Sequence, residues 1–181
     1  PYYMTGLYEI DLLGKIYAEY SLPGGYHHDY FELENGNLIV ASNNFSSQNH
    51  TVEDYIVELD RKTGQIVKRI DLQKILKKDD GKNENWTLIL SGRHQDAVIS
   101  INYTTTDINW ILGDPTNWSS FYQKYFLKPI GQNFEYQWSQ HAAKITPDGY
   151  LTLFDNGNNK SKDPSSYVQA ANSYSRGVLY K

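Results

Sequence analysis

At 181 residues and a net charge of −4, the chain is long enough for one sizeable core and has no basic excess for nucleic acid. It has no cysteine, which excludes a disulfide framework and thiolate metal ligation, and no apolar run approaching the roughly 20 residues that span a bilayer. Sixteen tyrosines and four tryptophans suit strands better than helices.

Residues 6–17 alternate, turn at Gly14 and alternate again, as a hairpin does. Residues 28–43 form a second hairpin, opening on His28, turning at Asn35-Gly36-Asn37 and closing on Ser42-Asn43. Residues 55–67 repeat the first pattern around an Asp-x-x-Thr-Gly turn at Asp60 to Gly64. Residues 71–78 and 118–127 are predicted short helices, the second capped by Ser119 and stopped by Pro129. Residues 97–110 are a third copy of the first hairpin. Residues 141–156 then repeat the His28 hairpin: His141, a Pro147-Asp148-Gly149 turn, and an Asp155-Asn156 exit. His28 to Asn35 and His141 to Asp148 are the same seven steps, so the histidine belongs to a repeat. Residues 158–172 read as a polar loop, and residues 177–180 begin another strand.

Two hairpins in series at a period of roughly 45 to 50 residues is the spacing of a four-stranded antiparallel propeller blade. The fold expected is all-β: a single partial β-propeller domain over residues 1–181, with both ends falling inside blades. The middle copy is incomplete. Aligning residues 88–93 with 38–43 and 151–156 puts the missing histidine and turn glycine at positions 78 and 86, which hold Lys78 and Trp86. An inner strand is therefore absent, with a gap near residues 86–87.

In a propeller the first strand of each blade lines the central channel, so repeat-equivalent residues converge. His28 and His141 are one equivalent set, and Asn43, Arg93 and Asn156 are another. Imidazoles, a guanidinium and amides around one point make an anion site with a potential nucleophile. Structural readings stand beside this one. Arg93 also fits an ion pair with Asp29 or Asp155, and Asp155 and Asn156 also fit caps on the turn before Gly157. His27 and His94 alternate away from the set and are assigned to packing or hydrogen bonding, and His50 sits in a polar loop.

Ser91-Gly92-Arg93-His94-Gln95-Asp96, Trp110-Ile111-Leu112-Gly113, Trp138-Ser139-Gln140-His141, Phe154-Asp155-Asn156-Gly157 and Tyr174-Ser175-Arg176-Gly177 resemble, in order, the bacterial arylsulfate sulfotransferases. His28-Asp29 resembles that family's upstream His-Asp motif. The resemblance implies a six-bladed propeller, of which this chain would supply about three blades. It also implies sulfuryl transfer from a phenolic sulfate ester to a phenol through a sulfohistidine, without a nucleotide donor, cofactor or metal. Carried over, His141 is the sulfated histidine, His28 a second active-site histidine and Arg93 the grip on the sulfuryl oxygens. Asn156, Asn43 and Trp138 are candidate substrate contacts. The family's further histidine, in a Trp-x-His-x-Asn segment before the Arg-His-Gln motif, has no counterpart here. By resemblance the location is periplasmic, extracellular or at the cell surface, and open sheet edges favour association into a homo-oligomer. The competing readings are a non-catalytic propeller fragment acting as an anion-binding or interaction module, and a metal-dependent hydrolase using His28, Asp29 and His141. No His-x-x-His pairing supports the last.

Overall fold

The structure, a computed structural model, describes residues 4–43, 55–75 and 87–181. The chain divides into two compact units, Pro1–Asp79 and Asp80–Lys181. His50 and positions 78 and 86 lie outside the described residues, as do the side chains of His27 and His28.

In the first unit, β1 (Met4–Ile10), β2 (Ile16–Glu32), β3 (Leu38–Ser42), β4 (Tyr55–Leu59) and β5 (Ile66–Asp71) form one antiparallel sheet in chain order. The predicted hairpins are all present. Their turns close on Gly14, Gly36 and Gly64, each at positive φ, where a side chain would be strained. The five-stranded width is not the four-stranded blade expected. The reason is β2, whose 17 residues run through Pro23-Gly24-Gly25 without ending. Its first half pairs with β1 from Ile16 to Tyr26, and its second half pairs with β3 from His27 to Glu32. Residues 22–25 bulge opposite Thr5, helped by the left-handed Gly25, so the backbone bends where a break was expected. Tyr20, Leu22, Leu38, Val40, Val57 and Leu59 form this unit's core. Asp71 accepts from the Lys74 amide at 3.1 Å and starts helix α1 (Leu72–Ile75), and residues 76–78 of the predicted helix lie outside the described residues.

The second unit has two three-stranded antiparallel sheets. One orders β6 (Thr87–Gly92), β7 (Ala97–Asn102) and β8 (Ile108–Gly113); the other orders β11 (Arg176–Tyr180), β10 (Leu151–Asp155) and β9 (His141–Ile145). Among the described residues these sheets, unlike the first, are narrower than four strands. Val98 and Leu112 from the first sheet share a core with Leu151 and Leu153 from the second. Burying each of these is worth about 1.5–3 kcal/mol, which fixes the mutual placement of the two sheets inside this unit.

The helix predicted over 118–127 is a correction. Only a 3₁₀ turn at Gln123–Tyr125 forms, because Phe126 bridges in parallel to Ile111 and the Leu127 amide donates to the Ile111 carbonyl at 2.8 Å. Edge-to-face contacts of Trp118 with Tyr122 and Phe126 hold the segment instead. The loop after residue 158 contains 3₁₀ turns at Pro164–Ser166 and Ala170–Asn172. No helix among the described residues is long and apolar enough to cross a membrane.

Candidate active site

The alternation of β10 turns Leu151, Leu153 and Asp155 inward, and Asp155 is fully buried. A buried carboxylate must be hydrogen-bonded and paired. Asp155 is both: Oδ1 accepts from the amides of Trp138 at 2.8 Å and Gly157 at 2.9 Å, and Oδ2 accepts from Arg176 Nε at 2.9 Å. The Gly157 amide also donates to the Trp138 carbonyl at 3.0 Å. Gly157 lies at φ +67, and a Cβ there would collide with the Tyr174 carbonyl. These bonds tie the segment before β9 to the segment after β10.

Arg176 extends the network to Glu135, with Nη1 2.9 Å from Oε2. Burial opposes the charge on Arg176, but the bond to Asp155 and the field of Glu135 and Asp155 outweigh it and raise its pKa. Glu135 is held below the usual carboxylate range, first by the hydrogen bond from Lys160 and then by that from Tyr174. Tyr180 donates to Gln137 Oε1 at 2.9 Å, and burial pushes its hydroxyl up to about 12.

The chain from Trp138 to His141 is fixed residue by residue. Ser139, at φ 52, donates its amide to Asp96 Oδ1 at 2.7 Å, and Lys162 holds the other Asp96 oxygen at 2.8 Å. Gln140 is fully buried and its Nε2 donates to the carbonyls of Ala97 at 2.9 Å and Gly92 at 3.2 Å. His141 then opens β9, half-buried, with Nδ1 3.2 Å from Asn156 Nδ2. The next residue, Ala142, is left-handed at φ 54. The register shifts there, from His141 opposite Phe154 to Lys144 opposite Thr152. A β-bulge thus re-aims the strand immediately after the histidine.

Arg93 is the first residue beyond β6, as Asn156 is the first beyond β10 and Asn43 the first beyond β3, so the equivalence read from the repeat holds in the strands. Arg93 is exposed in the turn to β7, next to the Gly92 that accepts from Gln140. Among the described residues no ion pair or hydrogen bond engages its guanidinium, and Asp155, one of its candidate partners, is taken by Arg176. His94, in the same turn, is exposed and likewise lacks a hydrogen bond among the described residues. Trp138 is only 6% exposed, with Lys162 Nζ 5.8 Å from its ring centroid. In the second unit, therefore, His141, Asn156 and Arg93 are brought to one end of the two sheets.

His28 and Asn43 belong to the first unit. His28 lies on β2 where the register shifts between His27 and Tyr30. Asn43 is buried, its amide donating to the Gly24 carbonyl at 3.1 Å, while Ser42 Oγ donates to the Gly25 carbonyl at 2.8 Å. Arg176 and Gln140 were not selected from the sequence as site residues. Both sit inside quoted motifs, and for Arg176 the readable signal was a polar side chain on the inward side of the β11 alternation, whereas Gln140 precedes β9 and carried no such signal.

The profile of the arylsulfotransferase family (ASST) matches residues 3–87 and 80–181. The chain belongs to the arylsulfotransferase family. It is similar to the proteins named arylsulfate sulfotransferase AssT of Lelliottia amnigena, at 25% identity, and of Escherichia coli O6:H1, at 26%. Each comparison covers 96% of this chain and 41% of the relative, so this arylsulfotransferase chain spans less than half the length of those two relatives. The match extends over 251 positions in each case, more than the 181 residues of the whole chain, so at least 70 of those positions have no counterpart here. The two matched pieces meet at 80–87, where the repeat placed the missing strand.

Proposed function

We propose that this chain carries part of the site of an aryl sulfotransferase. His141 takes a sulfuryl group from a phenolic sulfate ester and passes it to a phenol, with no nucleotide donor. The two units would be parts of one propeller, about three blades of six, exported to the periplasm or cell surface. The observation that carries the reading is the half-buried His141 ring at the head of β9, held by Asn156, with the unengaged Arg93 guanidinium one residue from the Gly92–Gln140 bond.

The chemistry follows from those groups. A neutral imidazole nitrogen attacks sulfur, the N–S bond forms, and the S–O bond to the aryl group breaks with its electron pair leaving on the phenolate oxygen. Arg93 offers forked N–H donors to the sulfuryl oxygens as charge redistributes. His28, as a cation, protonates the departing phenolate. His28, neutral once it has given up its proton, takes the proton of the acceptor phenol, whose oxygen bonds to sulfur as the N–S pair returns to the ring. By resemblance, Asn43 and Trp138 are carried over as substrate contacts.

The test is sulfuryl transfer from a chromogenic aryl sulfate to a phenol. His141→Ala abolishes transfer, and Arg93→Ala lowers it about 10²–10³-fold, the range for removing one donor to developing charge. Full activity in His141→Ala sinks the reading. A second reading, an anion-binding module without turnover, is favoured by the matched positions that have no counterpart here, at least 70 of them, and by the family histidine without a counterpart. Saturable binding of an aryl sulfate with no phenol released would support it.

A further inference from the structure

We propose that Asn156 is the positioning residue that sets the tautomer of His141, keeping the ring proton on Nδ1 and the lone pair on Nε2. The inference rests on the sulfuryl-transfer reading and assigns Asn156 to the histidine rather than to the substrate. The amide is anchored on both sides. Asp155 before it is buried and fully bonded, Gly157 after it is tied to Trp138, and its own carbonyl accepts from Ser175 Oγ at 3.0 Å. A side chain hung between two such fixed points keeps its 3.2 Å approach to Nδ1.

That contact allows two pairings, because the oxygen and nitrogen of an amide have nearly the same shape and the ring has two neutral forms. If the amide N–H donates, Nδ1 is the acceptor and the proton sits on Nε2, so the ring's lone pair is occupied by Asn156. If the amide is turned, Nδ1–H donates to Oδ1 and the lone pair lies on Nε2. Only the second leaves a nucleophile while the contact is kept. It is also the form that suits the intermediate. When Nε2 bonds to sulfur the ring becomes cationic, and Oδ1 accepts a strengthened hydrogen bond from Nδ1–H. Breaking the N–S bond in the second half-reaction restores the same tautomer, so no proton has to move on the ring during the cycle.

The test is ¹⁵N NMR of the chain labelled at its histidine ring nitrogens, with no substrate present and His141 assigned by its loss in His141→Ala. The expected result is a protonated Nδ1 and a bare Nε2 for His141 at neutral pH. Asn156→Asp, which still accepts from Nδ1–H, keeps that pattern. Asn156→Leu moves the proton to Nε2 and slows sulfation of His141 about 10- to 100-fold, the range for partners that orient a histidine from behind. A proton on Nε2 in the unmodified chain, or an unchanged pattern in a folded Asn156→Leu, overturns the assignment. The tautomer is read without turnover, so the two proposals fail separately. Absence of sulfation refutes the transfer reading alone, and sulfation of a ring protonated on Nε2 refutes the role of Asn156 alone.

Discussion

The hairpins that begin at His28 and His141 are built on one template and finished differently. In both, the turn closes by the same pair of bonds: Leu33 amide to Asn37 carbonyl and Gly36 amide to Leu33 carbonyl in one, Thr146 to Tyr150 and Gly149 to Thr146 in the other. In both, the register slips beside the histidine. The differences lie around that slip. The residue after His141 is the left-handed Ala142, whereas Asp29, at the same place in the first hairpin, is not among the left-handed residues and accepts from the Tyr30 amide at 2.9 Å. The strand exit holds a neutral Ser42 in the first hairpin and a buried, ion-paired Asp155 in the second. The repeat thus supplies the placement of a histidine, and the charge network supplies its rigidity.

The largest expected effect is at the strand exit. Asp155→Ala leaves the buried Trp138 amide without an acceptor, removes one of the two acceptors of the Gly157 amide and leaves Arg176 without its buried partner, and chemical denaturation should show a loss of about 3–5 kcal/mol. The matching change Ser42→Ala removes one neutral hydrogen bond and should cost about 1 kcal/mol. Equal losses would erase the distinction drawn between the two hairpins. Next comes Gly157→Ala, which forces a side chain into a left-handed position against the Tyr174 carbonyl and should cost about 1–3 kcal/mol in the same measurement. Ala142→Gly works in the opposite direction. It relieves a left-handed alanine and should raise stability by about 1 kcal/mol, while Asp29→Gly brings no such gain.

The smallest effect separates the units by pH. Glu9, on β1, accepts from Arg61 Nε at 2.5 Å and from Tyr20 at 2.6 Å, and these bonds hold its carboxyl down to about 2 from an ordinary 4.5. A depressed folded pKa gives stability that is present above about 4.5 and lost as pH falls toward about 2. Glu9→Gln should flatten that acid limb when unfolding is followed against pH, leaving the contribution of Glu135 in the second unit in place.

The hairpins were legible because their turns are local: Gly14, Gly36, Gly64 and Gly149 stand where alternation stops, and each adopts the positive φ that a tight turn needs. The family and the internal gap were legible too, since ordered motifs and a repeat with a missing member survive in sequence. Strand count per sheet was not. Nothing local at Pro23-Gly24-Gly25 shows that β2 continues, because the continuation is decided by β1 pairing across it. The aromatic run 118–127 has helical spacing, and its preference for edge-to-face clustering and a bridge to Ile111 is tertiary. Asn156 was picked out as a site residue, but its partner, His141, depends on a bulge at Ala142 that no sequence signal marks. The same holds for Arg176, which takes the carboxylate that sequence reasoning offered to Arg93.

The central claim is that His141 is the group that carries the sulfuryl. The most direct measurement is the intact mass of the chain before and after brief exposure to an aryl sulfate, with the modified peptide mapped. The account predicts a gain of one sulfuryl group on the peptide containing His141, absent in His141→Ala. An unchanged mass in the presence of bound aryl sulfate, or an adduct mapped to another residue, would contradict it.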